Sequence, residues 1–218
     1  MVRLYVICEG SSEVAFVEQV LRPHLEAQSN KELLLCKPPN LKGHQSYAKT
    51  RKEIKNLLST LSSVRVTTMI DLFKLPGDFP GRSELAGASP TEKVMFLESK
   101  LAADIDDTRF IPYIQLHEFE ALILTDLAPL MELHPKQRED LIEFASRLNK
   151  EFKDPEHIND LLPPSYRIKD VLKNYEKRTD GVLALKKIGI QQLSEKCEHF
   201  GKWVKKLETI TLGEKVAK

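Results

Sequence analysis

Six side chains suited to acid–base or metal chemistry fall at or just beyond the ends of apolar runs. Glu9 follows the run at residues 4–8, with Gly10 behind it and Glu13 four residues on. Asp71 ends the run at residues 64–70, and His117, Glu118 and Glu120 follow the run at residues 110–116. Carboxylates gathered in one place repel and raise one another's pKa. A divalent cation is the usual compensation, and an oxygen-rich donor set suits Mg²⁺ or Mn²⁺. Glu9, Asp71 and Glu118 are the candidate metal ligands. Glu13 and Glu120 are candidates for a base or a further ligand, and His117 for proton transfer.

Each residue also has a plainer reading. Glu9 can favour the positive end of the following helix. Asp71 can be a strand-terminating turn residue. Glu118 and Glu120 can be acids of a first helical turn, and His117 a hydrogen-bonded structural histidine. What sets the group apart is that three of the four expected strands carry acids to one edge. In open parallel sheets that edge is where binding sites form.

The elements that must position these acids are legible in the pattern. Residues 4–8, 33–36, 64–70 and 110–116 are short, apolar and read as strands. Val14, Val17, Val20, Leu21 and Leu25 recur at helical spacing behind Ser11 and Ser12, and Pro23 is expected to kink or shorten that helix. Residues 45–61 read as a helix with Ile54, Leu57, Leu58 and Leu61 on one face. Ser89-Pro90-Thr91-Glu92 is a capping-box start, followed by Val94, Leu97, Leu101 and Ile105. After about residue 126 strands cease, and residues 135–152, 165–175, 180–187 and 190–207 read as helices. Residues 211–218 read as a frayed tail. The expected fold class is α/β: a Rossmann-like, mainly parallel sheet with flanking helices over residues 1–126, and a helical C-terminal region, 127–218, packed on it.

Composition narrows the class further. The 218 residues are 41% hydrophobic and 30% charged, and a net charge of +1 favours neither nucleic acid nor its exclusion. Cys8, Cys36 and Cys197 lack paired spacing, so they read as reduced core cysteines of a cytoplasmic protein. No apolar stretch is long enough to span a membrane.

Two further stretches draw notice. Residues 72–89 carry Pro76, Gly77, Pro80 and Gly81 without a clear period and start directly after Asp71. They read either as a lid over the acidic edge, with Asp78 and Arg82 as supporting or phosphate-binding residues, or as an Ω-loop packed by Phe73, Leu75, Phe79 and Leu85. Between Lys31 and Lys55, seven basic residues against Glu32 and Glu53 leave a local charge of +5. With His44 and Lys49, that stretch is either a phosphate-backbone patch or a solvated helix face.

Glu9-Gly10-Ser11-Ser12-Glu13 after a strand, with an acid closing the third strand, resembles the TOPRIM signature shared by topoisomerases, bacterial primases and OLD-type nucleases. VICEGSSEVAFVEQVLRPHL, TTMIDLFKLPGDFPG, PYIQLHEFEALILTD and DGVLALKKIGIQQLSEKCEHFGKW together resemble a bacterial family, domain of unknown function 4276. The resemblance implies a TOPRIM-like core in which Glu9 is the motif glutamate, Glu13 the second acid of the nuclease-type motif and Asp71 the first aspartate of an Asp-x-Asp motif. The second aspartate falls at Phe73, with Glu118, Glu120 or Asp78 as replacements. The implied activity is Mg²⁺- or Mn²⁺-dependent phosphodiester hydrolysis of DNA or RNA in a phage-defence module with an SMC/OLD-like ATPase. A catalytically inactive subunit that binds the ATPase or nucleic acid is the alternative, and homo-oligomerisation is left open. A phospho-receiver also places acids after strands one and three, but it needs a lysine after a fifth strand that this sequence does not announce.

Overall fold

Strand β1 (Val2–Cys8) places Leu4, Val6 and Cys8 in one core and Ile7 in another, the two-residue alternation of a sheet covered on both faces. The computed structural model describes residues 1–29, 33–37, 46–85, 87–158 and 162–211. The first helix leaves β1 as α1 (Ser11–Phe16), widens through a π turn at Val17–Leu21 and continues as α2 (Arg22–Gln28). Pro23 therefore ends nothing: the wide turn lies just before it, and the proline takes a first-turn position of α2, where a missing N–H is harmless. Strand β2 (Leu33–Leu35) leads to α3 (Tyr47–Thr60), and β3 (Val64–Asp71) to α4 (Pro90–Ile105). The capping box at Ser89 and Glu92 is formed.

The expected fourth strand is divided. Strand β4 (Phe110–Ile111) and strand β5 (Ile114–Gln115) both pair with β3, separated by Pro112 and Tyr113. Proline has no N–H for the ladder. Thr68 repairs the gap: its hydroxyl accepts from the Tyr113 N–H at 3.0 Å and donates to the Tyr113 carbonyl at 2.8 Å. All pairings are parallel and the order is β2-β1-β3-β4, with β5 also on β3.

The remainder is helical: α5 (Glu120–Ile123), α6 (Ala128–Leu133), α7 (Arg138–Glu151), α8 (Pro164–Val171), α9 (Val182–Lys196) and α10 (Glu198–Thr211). The expected gap near residue 189 is a kink inside α9, where Gly189 takes φ +80°. The expected helix at 190–207 is divided instead at Cys197, between α9 and α10. The tail at 212–218 lies outside the described residues.

Helices α3 and α4 cover one sheet face through Ile54, Leu58, Val94, Leu97, Leu101 and Ile105. The other face is covered by α1, α9 and α10, and the same core takes in Leu141, Phe144 and Leu148 of α7. Trp203 of α10 lies on Tyr113, with ring centroids 4.2 Å apart, and its indole N–H donates to Thr67 of β3 at 2.9 Å. Among the described residues, no helix is long and apolar enough to cross a membrane. Cys8, Cys36 and Cys197 are free thiols. Burial pushes Cys197 up to about 12 and Cys8 well above the ordinary thiol value.

Candidate acidic active site

Strands β1 and β3 are neighbours in register, Cys8 opposite Met69, so their next residues share one edge. Glu9 Oε2 accepts from the Asp71 N–H at 3.4 Å. Asp71 ends β3 and is 2% exposed. Glu13 rises from the first turn of α1 and Glu120 from the first turn of α5, and both are buried. Four of the six acid–base candidates thus meet at the carboxyl ends of β1 and β3.

Gly10 makes the crowding possible. Its φ is −137°, ordinary extended backbone, so no left-handed turn is involved. Instead, a Cβ there would sit 2.8 Å from Glu13 Oε2. A larger residue at this position would make the Glu13 carboxylate shift away from where it now sits.

Two lysines that the sequence reading did not single out complete the site. Lys74, in the 3₁₀ turn Leu72–Lys74, places Nζ 2.9 Å from Asp71 Oδ2 and 3.5 Å from Glu9 Oε1. Lys177 begins the turn Lys177–Gly181 that leads into α9. Its Nζ lies 3.0 Å from Glu120 Oε2 and 3.3 Å from Glu13 Oε1, and 5.3 Å from the centre of the Phe119 ring. Burial opposes both ammoniums, but Asp71 and Glu9 around Lys74, and Glu120, Glu13 and Asp71 around Lys177, raise both pKa values. The only local hint was a lysine one 3₁₀ turn after Asp71; Lys177 lies too far along the chain for any local signal.

Burial, the largest influence, lifts the Asp71 carboxyl to about 7; Lys74 and Lys177 pull it down, and Glu13 and Glu9 push it up. Burial likewise raises Glu120, against Lys177 and with Glu118. Tyr175 lies in the same region, raised by burial and by Glu120, and its buried hydroxyl has no hydrogen-bond partner among the described residues.

The other candidates lie as follows. Glu118 Oε2 accepts from the Ser165 N–H at 3.0 Å in the first turn of α8. His117 is buried, its Nε2–H donates to the Glu156 carbonyl at 3.3 Å, and its ring stacks on Phe73 at 5.8 Å. Asp78 accepts from the Tyr47 N–H at 3.0 Å and so caps α3. The segment after Asp71 packs as an Ω-loop would: Leu72, Leu75 and Phe79 are buried, while Phe73 is 50% exposed. Lys49 is exposed on α3, and Arg51 is paired with Asp104 at 2.6 Å. His44, Lys31 and Lys42 lie outside the described residues. Glu156, which sequence reasoning missed, is a buried carboxylate accepting from the His199 and Phe200 N–H groups at 2.7 and 2.9 Å, where it caps α10.

Do these residues suit a divalent ion? The donors of the cluster are carboxylate oxygens alone, which is hard-cation chemistry. Four carboxylates face two ammoniums, so two negative charges stay uncompensated when all are ionised. Among the described residues, no three His, Cys, Asp or Glu side chains converge tightly enough to hold an ion by themselves. Mg²⁺ commonly takes one or two carboxylates and completes its shell with water and substrate phosphate. The Glu9–Asp71 pair fits that mode.

No curated protein matches the chain. Among solved structures, the C-terminal region of the Burkholderia pseudomallei OLD protein is similar, with a TM-score of 0.51 at 15% identity, covering 97% of this chain and 99% of that one. The C-terminal region of the Xanthomonas campestris pv. campestris OLD protein is also similar, with a TM-score of 0.41 at 16% identity, over 94% of each chain. At this identity the first likeness speaks for the fold alone, a parallel sheet with flanking helices. The model of the family described as domain of unknown function (DUF4276) matches residues 8–208, and the chain belongs to that family.

Proposed function

We propose that this chain is a divalent-metal-dependent nuclease module that hydrolyses phosphodiesters of DNA or RNA, with Mg²⁺ or Mn²⁺ as cofactor. The observation that carries the reading is the convergence of Glu9, Glu13, Asp71 and Glu120 at the carboxyl edge of a parallel sheet, with Lys74 and Lys177 over them. Glu9 and Asp71 would hold the ion, with Glu118 a further donor through the oxygen it does not give to Ser165. When bound, the ion polarises the phosphate and makes water a better nucleophile. Glu120, its pKa raised by burial, would accept a proton. Lys177 holds Glu13 and Glu120 in place and would offer positive charge to the negative charge that builds on the phosphate oxygens in the transition state. His117, bonded to the Glu156 carbonyl and stacked on Phe73, would act as a positioning residue. An SMC/OLD-like ATPase is the proposed partner, in a phage-defence setting within the cytoplasm.

A second reading, an inactive subunit that binds such an ATPase or nucleic acid, draws on Phe73 in the place of a second acid and on the two lysines that already neutralise half the cluster. One experiment separates the two. Purified chain, with its ATPase supplied, is incubated with single- and double-stranded DNA and RNA and with Mg²⁺ or Mn²⁺. The nuclease reading expects cleavage that Glu9→Gln and Asp71→Asn abolish; absence of cleavage under every condition favours the inactive subunit.

A further inference from the structure

The residues that follow Asp71 line a cavity of about 390 Å³, with Leu72, Phe73, Leu75, Arg82, Lys93 and Leu97 among its walls. That volume lies within the range of small-ligand clefts. Leu72, Leu75 and Leu97 are buried, whereas Phe73 is 50% exposed. The Phe73 ring is held by a stacked contact with His117, at 5.8 Å and 22° between planes.

The charges in this wall are both positive. Among the described residues, neither Arg82 nor Lys93 forms an ion pair and no acid lines the cavity. Arg82 Nη1 is buried with no hydrogen-bond partner among the described residues, an arrangement that costs free energy until the side chain turns toward an acceptor. An apolar, aromatic, doubly cationic slot therefore begins one residue after Asp71 along the chain. A metal ion finds no ligands in it, and a purely apolar ligand would leave the cations idle. A flat ring attached to a phosphate answers every feature: rings stack on an exposed aromatic, and a guanidinium grips phosphate oxygens in pairs.

We infer that this slot takes an unpaired nucleobase next to the scissile phosphodiester, with the base against Phe73 and its phosphate held by Arg82 and Lys93, so that single-stranded nucleic acid is the substrate class. A base inside a duplex presents only its edge and cannot enter. The inference rests on the nuclease reading of the acidic edge. It also gives a physical use to Phe73, which stands where the resembled motif has an acid.

The test is binding without cleavage. Fluorescence anisotropy in EDTA follows a labelled oligothymidylate, and a duplex of equal length, on the full chain. The wild type is expected to bind the single strand more tightly than the duplex. Phe73→Ala and Arg82→Gln should each weaken single-strand binding by about tenfold or more and leave duplex binding unchanged. Phe73→Trp should restore binding, and strand addition should quench its emission, because Trp203 is buried and cannot report. Phe73 and Arg82 are not core residues, so circular dichroism should show both variants folded. Wild-type affinity for the strand in both variants would overturn the inference, as would thymidine monophosphate competing as well as the strand. If no metal supports cleavage while the Phe73- and Arg82-dependent binding persists, the slot stands and the nuclease reading fails. If cleavage occurs while both variants bind like wild type, the slot alone fails.

Discussion

Lys177 Nζ lies 3.0 Å from Glu120 Oε2 and 3.3 Å from Glu13 Oε1, tying the turn before α9 to two carboxylates on different elements of the sheet edge. The three side chains are largely buried. Removing the ammonium leaves buried carboxylates without a partner, and that is costlier than losing an exposed ion pair. Lys177→Met is expected to destabilise the metal-free protein by about 3–5 kcal/mol at neutral pH. Adding Glu120→Gln to it should recover part of that loss, because the two side chains belong to one network. Urea denaturation of the single and double variants checks this. Additive losses would show that the pair is not coupled.

Asp71 makes stability depend on pH with a definite sign. Its folded pKa, about 7 through burial first, exceeds the unfolded value, so folding favours the protonated form. Its contribution is full below about pH 4 and is lost as pH rises through about 7. Asp71→Asn removes that dependence. Across this window the stability of Asp71→Asn should therefore rise relative to wild type, by up to about 4 kcal/mol for a shift of roughly three units. Denaturation in EDTA between pH 4 and 8 measures it, and parallel curves for the two proteins would contradict the assignment. Mn²⁺ affinity should run the other way, rising with pH until Asp71 is ionised.

The break between β4 and β5 gives a prediction away from the site. Thr68 is buried and its hydroxyl serves both the N–H and the carbonyl of Tyr113. Thr68→Val keeps the shape and removes the hydroxyl. The Tyr113 N–H is then buried without an acceptor, at a cost of about 1–3 kcal/mol. Thermal unfolding should show the loss, and hydrogen exchange should show the Tyr113 amide losing protection. An unchanged melting temperature would mean that the hydroxyl does not carry the junction.

What could be read from the sequence follows from which interactions are local. The acids at strand ends were visible because the short apolar runs and their terminating residues are contiguous. The proline break at residue 112 was also there to be read, since Pro112 cannot donate to a ladder, but the apolar run continued through it. Helices α5 and α6, of four and six residues, are too short to show a period. Lys177 reaches Glu13 only through tertiary packing, more than 160 residues along the chain. Glu156 likewise caps α10 across an interval that no spacing rule covers. The carboxylates were therefore legible and their counter-charges were not.

The central claim is that Glu9 and Asp71 form the seat of one divalent ion. Calorimetric titration of Mn²⁺ into the wild type and into folded Glu9→Gln and Asp71→Asn variants tests it most directly. The expected result is saturable binding by the wild type that both variants lose. Equal binding by all three proteins would contradict it, as would a wild type that takes up no Mn²⁺ even with oligonucleotide and the ATPase present.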